Sequence, residues 1–304
     1  MKMREPLISV VIPVYNRADA LRRTLKSVLT QNYHHLEILV IDDGSDIDIS
    51  SVIKELDDHR LYYHKLEHTN ANVARNFGID NSQGAYIAML DADDLWMQNH
   101  VTSCLDKLQE SGADGIYGSL VLRNIANQTE KNVMVRPVAK NETMINYLLS
   151  TGYGAQTSTL FMTAESIKDI RWNPVLERHQ DYDFVIRYSK KYRLAAKSEP
   201  TAIYISGEPK QVKINFQSCM QVIKENEKDI SPGLYNNYHL NMLSLARHLN
   251  APANVIEHYK KEATFYKEHL SYYRFLIIRQ PGSGLEKFRC KLEYLFYILR
   301  TRVE

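Results

Sequence analysis

Tyr86-Ile87-Ala88-Met89-Leu90-Asp91-Ala92-Asp93-Asp94 is an apolar run that stops abruptly in three carboxylates. A strand predicted from Tyr86 to Leu90 is apolar on both faces, as in a sheet covered by helices on each side, and aspartate is disfavoured in strands. Asp91, Asp93 and Asp94 therefore fall at its carboxyl end. Open α/β sheets bind their ligands along that edge. Asp91 and Asp93, two apart on an extended chain, are expected to point the same way and to face one divalent cation, with Ala92 turned aside. Carboxylate oxygens favour a hard ion, Mg2+ or Mn2+, over zinc. A plain structural role is also open, because Asp-rich turns cap helices and Asp94 precedes Leu95-Trp96-Met97, where a helix could begin.

Upstream of this run the hydrophobic period alternates between that of strands and that of helices. Strands are predicted at Leu7–Val14, Glu37–Ile41 and Leu61–His64, and helices at Ala18–Leu29, Ile49–Leu56 and Asn72–Ile79. Such alternation means βαβ units, a largely parallel sheet and right-handed crossovers. Downstream, Met97–Glu110 and His179–Lys191 read as helices. Gly115–Leu122, Thr157–Met162, Leu194–Ala196 and Ala202–Ile205 read as extended pieces, and polar 123–140 as a loop or edge hairpin with a strand-like centre at Asn132–Val138. Gly207 and Pro209 break the pattern, and a helix-patterned region rich in Tyr, Lys and Arg follows.

The 304 residues suffice for one large domain with an appendage or for two modest ones, and the net charge of +2 provides no global field that calls for nucleic acid. Cys104, Cys219 and Cys290 are few and far apart, without a Cys-x-x-Cys pair, which fits a reducing, cytoplasmic compartment and argues against a cysteine zinc site. Leu7–Val14 carries Pro13 and lacks a cleavage site after it, so it does not read as a signal peptide. No segment approaches the roughly 18 to 20 apolar residues that span a bilayer.

In a parallel sheet three strand ends converge on one edge: Pro13-Val14-Tyr15-Asn16, Asp42-Asp43-Gly44-Ser45 and Asp91-Ala92-Asp93-Asp94. The first is not the glycine fingerprint of a dinucleotide fold, and the chain has no Gly-x-x-x-x-Gly-Lys phosphate loop. A nucleotide is then held by side chains and metal. Asp43 can accept the imide N–H of uracil, and Asp91 can accept ribose hydroxyls. Arg75, on a predicted helix, can orient Asp43 or a phosphate.

Ser9-Val10-Val11-Ile12-Pro13-Val14-Tyr15-Asn16-Arg17, Val40-Ile41-Asp42-Asp43-Gly44-Ser45, Ala74-Arg75-Asn76 and Leu90-Asp91-Ala92-Asp93-Asp94, in this order and spacing, resemble the family 2 inverting glycosyltransferases of GT-A fold. The resemblance is close over residues 7–97 and looser to about 205. It implies a GT-A catalytic domain over 1–205, with a nucleotide-sugar half (1–97) and an acceptor half (98–205), followed by a helical region over 206–304. It also implies a nucleotide-diphosphate sugar donor, with a UDP-sugar favoured, and a Mn2+ or Mg2+ ion held through Asp93 with Asp91. By the family pattern Asp43 meets the nucleobase, Pro13 and Tyr15 line its pocket, and Arg75 lies near Asp43 and the diphosphate.

The family's general base lies in a Glu-Asp-x-Asp/Glu-like motif. His179-Gln180-Asp181-Tyr182-Asp183 matches it at Asp181, with Gln180 in place of the commoner glutamate. Asp181 is accordingly expected to take the proton of an acceptor hydroxyl. A plain reading of Asp181 and Asp183 is that of first-turn acids on a helix dipole. His179 is expected in a supporting position. His34, His35, His64 and His68 are expected to be solvated or satisfied, Trp96 and Trp172 to be packed, and Gly152 to Ser158 to be an acceptor-pocket loop or a plain one. By resemblance the acceptor is a glycan or lipid-linked glycan of a bacterial surface polysaccharide, such as capsule or lipopolysaccharide. Rival readings are a sugar nucleotidyltransferase, which should show a Gly-rich basic loop after the first strand, and a catalytically silent nucleotide- or glycan-binding protein.

Between Tyr272 and Arg302 lie seven Lys or Arg and only Glu286 and Glu293, with Phe288, Leu292, Leu295, Phe296 and Leu299 at helical spacing. Two readings stand for this basic amphipathic stretch. One is peripheral contact with an anionic inner leaflet; the other is packing on the catalytic domain or across a homo-oligomer interface.

Overall fold

A computed structural model describes residues 5–152, 154–207 and 214–263. They form two compact units, one ending at Glu225 and one beginning at Asn226. The stretch 272–302, and with it the membrane and oligomer readings, lies outside the described residues, as does Cys290.

The first unit opens with β1 (Ile8–Val14), α1 (Ala18–Leu29), β2 (Leu36–Asp42), α2 (Ser50–Leu56), β3 (Leu61–Lys65), α3 (Ala71–Asn81) and β4 (Tyr86–Met89). These strands pair in parallel in the order β3-β2-β1-β4. Both faces of β1, β2 and β4 are covered: every residue of β1 and β2 is buried, and Ile87, Ala88, Met89 and Leu90 are sealed from solvent. α1 lays Leu21, Leu25 and Val28 onto the sheet at helical spacing. Each such side chain contributes about 1.5–3 kcal/mol of burial energy. α3 lies closer still. A Cβ at Gly78 would stand 2.4 Å from Val11 Cγ1, so only glycine allows this approach.

The chain continues with β5 (Leu95–Trp96), α4 (His100–Ser111), β6 (Gly115–Asn124), β7 (Thr129–Val133), α5 (Met144–Thr151), β8 (Phe161–Thr163), α6 (Ala164–Ile170), α7 (Gln180–Ser189), β9 (Leu194–Ser206) and α8 (Phe216–Glu225). β8 joins β4 and β6 antiparallel, β6 runs parallel to β9, β5 closes the order antiparallel to β9, and β7 forms a hairpin with β6. β1 to β4, β6 and β9, six of the nine strands, take part in parallel pairings, so the predicted mostly parallel α/β sheet flanked by helices is observed.

The structure corrects several element bounds in this second half. No helix follows Asp94 directly. Leu95 and Trp96 pair with β9, Met97 N donates to Thr201 O at 2.8 Å, and the helix starts only at His100. The strand expected at Asn132–Val138 lies earlier, in β7, where the hairpin register with β6 fixes it and Pro137 cannot extend the ladder. Thr157–Thr159 is a 3-10 turn before β8. The two closing pieces are one strand, β9, whose register with β6 shifts between Gly118 and Leu120; Ser198, Glu199 and Pro200 sit in that irregularity.

The second unit contains α9 (Pro232–His248), opened by a proline in its first turn, and α10 (Ala253–Ala263). Tyr235 Oη on α9 donates to Glu262 Oε2 on α10 at 2.7 Å.

Candidate active site

Three loops leave the carboxyl ends of β1, β2 and β4 side by side. Asn16 turns the first with a left-handed backbone (φ 53°). Its amide N–H donates to Ser45 Oγ at 2.9 Å and its side-chain oxygen accepts from Asp46 N at 2.8 Å, so the first two loops are laced together. Asn16 is among the residue types that tolerate this conformation. The turn sets Tyr15 and Arg17 on either side of it.

In the second loop Asp42 and Asp43 divide the work. Asp42 is structural: its carboxylate accepts from Tyr63 Oη at 2.7 Å and Ser45 N at 2.8 Å. Asp43 is buried, yet it lines a cavity. Its Oδ1 accepts from Thr69 N at 3.0 Å, and its Oδ2 lies 3.0 Å from His68 Nδ1. That nitrogen also meets the Asp43 carbonyl oxygen at 2.9 Å, so it carries the proton and donates to both. The His68 ring is stacked on Tyr15. His68 is therefore a satisfied histidine, one of the two states expected for it, and it touches two residues of the cavity wall.

The third loop is a turn rather than an extended segment, because Asp94 N donates back to Asp91 O at 3.0 Å. Asp91 and Asp93 nonetheless line the same cavity. Asp91 accepts from Arg75 Nη2 at 2.6 Å, and Asp93 is paired with Arg17. Asp94 is buried, accepting from Ser158 Oγ at 2.5 Å and Ile205 N at 3.1 Å. Burial pushes its carboxyl well above the usual range, with the neighbouring charges of Asp91 and Asp93 adding to the shift.

Arg75 is placed by α3, which Asn70 caps by accepting from Asn72 N and Val73 N. Its guanidinium lies 4.6 Å over the Trp172 ring and donates to Asn72 Oδ1 at 3.0 Å as well as to Asp91. Its side-chain partners are thus Asn72 and Asp91, and it does not bond Asp43, one of the two roles the sequence allowed it. Its Nε is buried without a protein acceptor. Pro13, Tyr15, Asp43, Arg75, Asp91 and Asp93 all line one cavity of about 260 Å³, together with Arg17.

A second cavity of about 360 Å³ shares Asp91 as a wall and contains Asp181. Gly152, Gln156 and Thr157 line it together with Glu177 to Tyr182, and Tyr204 lines it from β9. Asp181 is in the first turn of α7. Burial pushes its carboxyl up, against the Tyr182 N–H that donates to Oδ1 at 3.0 Å and the charges of Arg178 and Arg75. His179, left-handed at φ 56°, stacks on Tyr182 with ring centroids 4.8 Å apart. Burial and the Arg178 charge push its imidazole down to about 4, so it is neutral near pH 7. Asp183 points elsewhere, into a pair with Arg187 at 2.6 Å. Trp96 and Trp172 are both buried, stacked on His100 and Phe184.

Among the described residues no cluster of three or more His, Cys, Asp or Glu is placed to hold an ion. Asp91 and Asp93 provide two carboxylates on one cavity wall. Mg2+ in nucleotide sites is commonly held by one or two carboxylates, with phosphate oxygens and water completing its shell, and this pair fits that arrangement. Among the described residues no helix is long and apolar enough to cross a membrane.

Arg17 and the roles of His68, Glu177, Arg178 and Tyr204 escaped the sequence reading. Arg17 stands within the quoted first motif, but only the turn at Asn16 shows that it reaches Asp93.

The sequence profile described as Glycosyl transferase family 2 matches residues 9–170. The amylovoran biosynthesis glycosyltransferase AmsB of Erwinia amylovora is 30% identical over 215 residues, 66% of this chain and 70% of AmsB. Longer curated relatives are spanned over as little as 16% of their length. Among solved structures, S. aureus TarS 1-349 in complex with UDP-GlcNAc superposes with a TM-score of 0.60 at 16% identity, covering 95% of this chain and 81% of that one. The mannosyltransferase PcManGT from Pyrobaculum calidifontis, in complex with GDP-Man and Mn2+, gives 0.56 at 15% identity over 96% and 88%.

Proposed function

The chain is a glycosyltransferase that belongs to glycosyl transferase family 2, and we propose that it transfers a sugar, with inversion, from a nucleotide-diphosphate sugar to a glycan or lipid-linked glycan acceptor. The observation that carries this reading is that Asp91 walls two cavities at once. One holds Asp43, Arg75 and Asp93, and the other Asp181. A donor in the first and an acceptor in the second meet at Asp91.

Each residue then has a task its surroundings suit. Asp43, held by Thr69 and His68, accepts the imide N–H of a uracil. Pro13 and the face of Tyr15 flank the base. Arg75, pinned by Trp172 and Asn72 on the cavity wall, supplies a fixed positive charge to the diphosphate. Asp93 and Asp91 would hold a divalent cation, Mn2+ or Mg2+, whose Lewis acidity stabilises the departing diphosphate. Asp181 takes the hydroxyl proton onto its carboxylate as the acceptor oxygen bonds to the anomeric carbon and the bond from that carbon to the diphosphate breaks on the opposite face. The raised affinity of Asp181 for a proton strengthens it as a base.

The bound UDP-GlcNAc of TarS supports a UDP-sugar as the favoured donor, and the Mn2+ of PcManGT supports the cation. The naming of AmsB as an amylovoran biosynthesis glycosyltransferase supports a role in bacterial polysaccharide synthesis. We assign the catalytic domain to 1–205; among the described residues after it the helices are α8, α9 and α10. Within the first unit α8 touches the acceptor side, where Ser218 Oγ accepts from Glu177 N at 3.2 Å.

Calorimetric titration of UDP, GDP and TDP, with and without Mn2+, tests the reading on wild type and Asp93→Ala. Metal-dependent binding of one nucleotide, lost in the variant, supports it. Absence of binding under every condition rejects the donor-site assignment.

A further inference from the structure

Two arginines pair with Asp91 and Asp93, two of the three carboxylates that line the donor cavity, and they are built differently. Arg75 is fixed: its side chain is 3% exposed, its guanidinium is stacked on Trp172, and it bonds Asn72 as well as Asp91. Arg17 is 36% exposed, and its pair with Asp93 is its one side-chain hydrogen bond among the described residues. Arg17 also flanks α1 without capping it. A long side chain tethered at one point by a partly solvated pair can leave at small cost.

We infer that Arg17 is a positioning residue that occupies Asp93 until the cation arrives, and that its displacement makes cation and nucleotide bind cooperatively. This rests on the donor-site reading above. A cation entering alone must take Asp93 from Arg17 and leave the guanidinium without an anion. When a nucleoside diphosphate enters with it, the released guanidinium, still on the cavity wall, gains phosphate oxygens in exchange. Each ligand therefore raises the affinity for the other by the same factor. Arg75 cannot play this part, because Asn72 and Trp172 hold it whether or not Asp91 is engaged.

The test is Mn2+ binding to the full chain, followed by the electron paramagnetic resonance signal of free Mn2+, with and without UDP, GDP or TDP. Wild type is compared with Arg17→Gln, Arg17→Lys, Asp93→Asn and, as a control of charge outside the cavity, Arg22→Gln. In the absence of nucleotide Arg17→Gln should bind Mn2+ about two- to fivefold more tightly, the range that loss of a partly exposed pair allows. With the nucleotide bound this gain should vanish. Arg17→Lys should behave as wild type and Arg22→Gln should change nothing. Unchanged or weaker Mn2+ binding by Arg17→Gln overturns the inference. So does an equal gain with nucleotide present, which marks a general charge effect. In both of those cases loss of nucleotide-dependent Mn2+ binding in Asp93→Asn leaves the donor site standing. Mn2+ binding that Asp93→Asn does not weaken, or none in any form, overturns the donor site and the inference together.

Discussion

The imidazole of His68 lies on the phenol ring of Tyr15, with centroids 4.1 Å apart and planes 13° from parallel. One side chain thus braces both Tyr15 and Asp43, the two cavity residues proposed to meet the nucleobase, since its Nδ1 also donates to Asp43. His68→Ala should weaken nucleotide binding about three- to tenfold, a fraction of the energy of an aromatic pair plus one hydrogen bond to a carboxylate, because His68 acts through Tyr15 and Asp43. His68→Phe should recover the stacking share only. Calorimetry on the two variants separates the contributions, and equal affinities for both would reject the bracing role.

Asp181 predicts the shape of the pH–rate profile. A base must be ionised, and burial raises the proton affinity of this carboxyl, so turnover should fall on acidification through a midpoint above the ordinary 3.8. Arg178 opposes that shift, and Arg178→Gln should move the acid limb to still higher pH. Asp181→Asn should lower turnover about 10²- to 10⁴-fold while donor affinity is kept. Release of nucleoside diphosphate from the donor is the readout.

His100 predicts an acid sensitivity of the fold that is separate from catalysis. It is fully buried, 2.8 Å from Thr201 Oγ1, and burial with the nearby Lys197 charge pushes it from 6.5 down to about 3. Between those values the unfolded chain takes up a proton that the folded chain refuses. Stability therefore rises with pH across this window and is lost as pH falls through it, by at most about 5 kcal/mol. Urea unfolding between pH 7 and 4 should show that slope, and it should flatten in His100→Gln.

Gly78→Ala should destabilise the protein by about 1–3 kcal/mol despite the better helix propensity of alanine, because the new methyl meets Val11 Cγ1 at 2.4 Å. Val11→Ala makes room for it, so the double variant should be more stable than the two single losses added together. Simple additivity in thermal or urea unfolding would mean that α3 shifts away from β1 instead.

The parallel half was legible because its apolar runs end in residues that strands reject. Val10 to Val14, Ile38 to Ile41 and Ile87 to Leu90 are buried on both faces, and each run is followed by polar turn residues. β9 was not legible, since Pro200 and Glu199 interrupt a strand whose continuity depends on a shifted register with β6. The 3-10 turn at Thr157 was hidden for a similar reason. Its β-branched residues suit a strand, but Ser158 is held by tertiary bonds to Asp94 and Trp96. In the site, residues carried by strand ends could be placed from the order of strands. Arg17 and His68 could not, because their roles depend on a left-handed turn at Asn16 and on the ring contact between two loops.

Asp94 binds Ser158 and Ile205, and Trp96 donates its indole N–H to Ser158 O at 2.8 Å. The loop that presents Asp91 and Asp93 is thus sewn into segments about 60 and 110 residues further along the chain. Donor recognition is for this reason not a transplantable cassette. A chimera that exchanges only the first 97 residues with those of a relative severs these stitches, and a successful exchange of sugar preference must carry the residues facing Asp94 along with it.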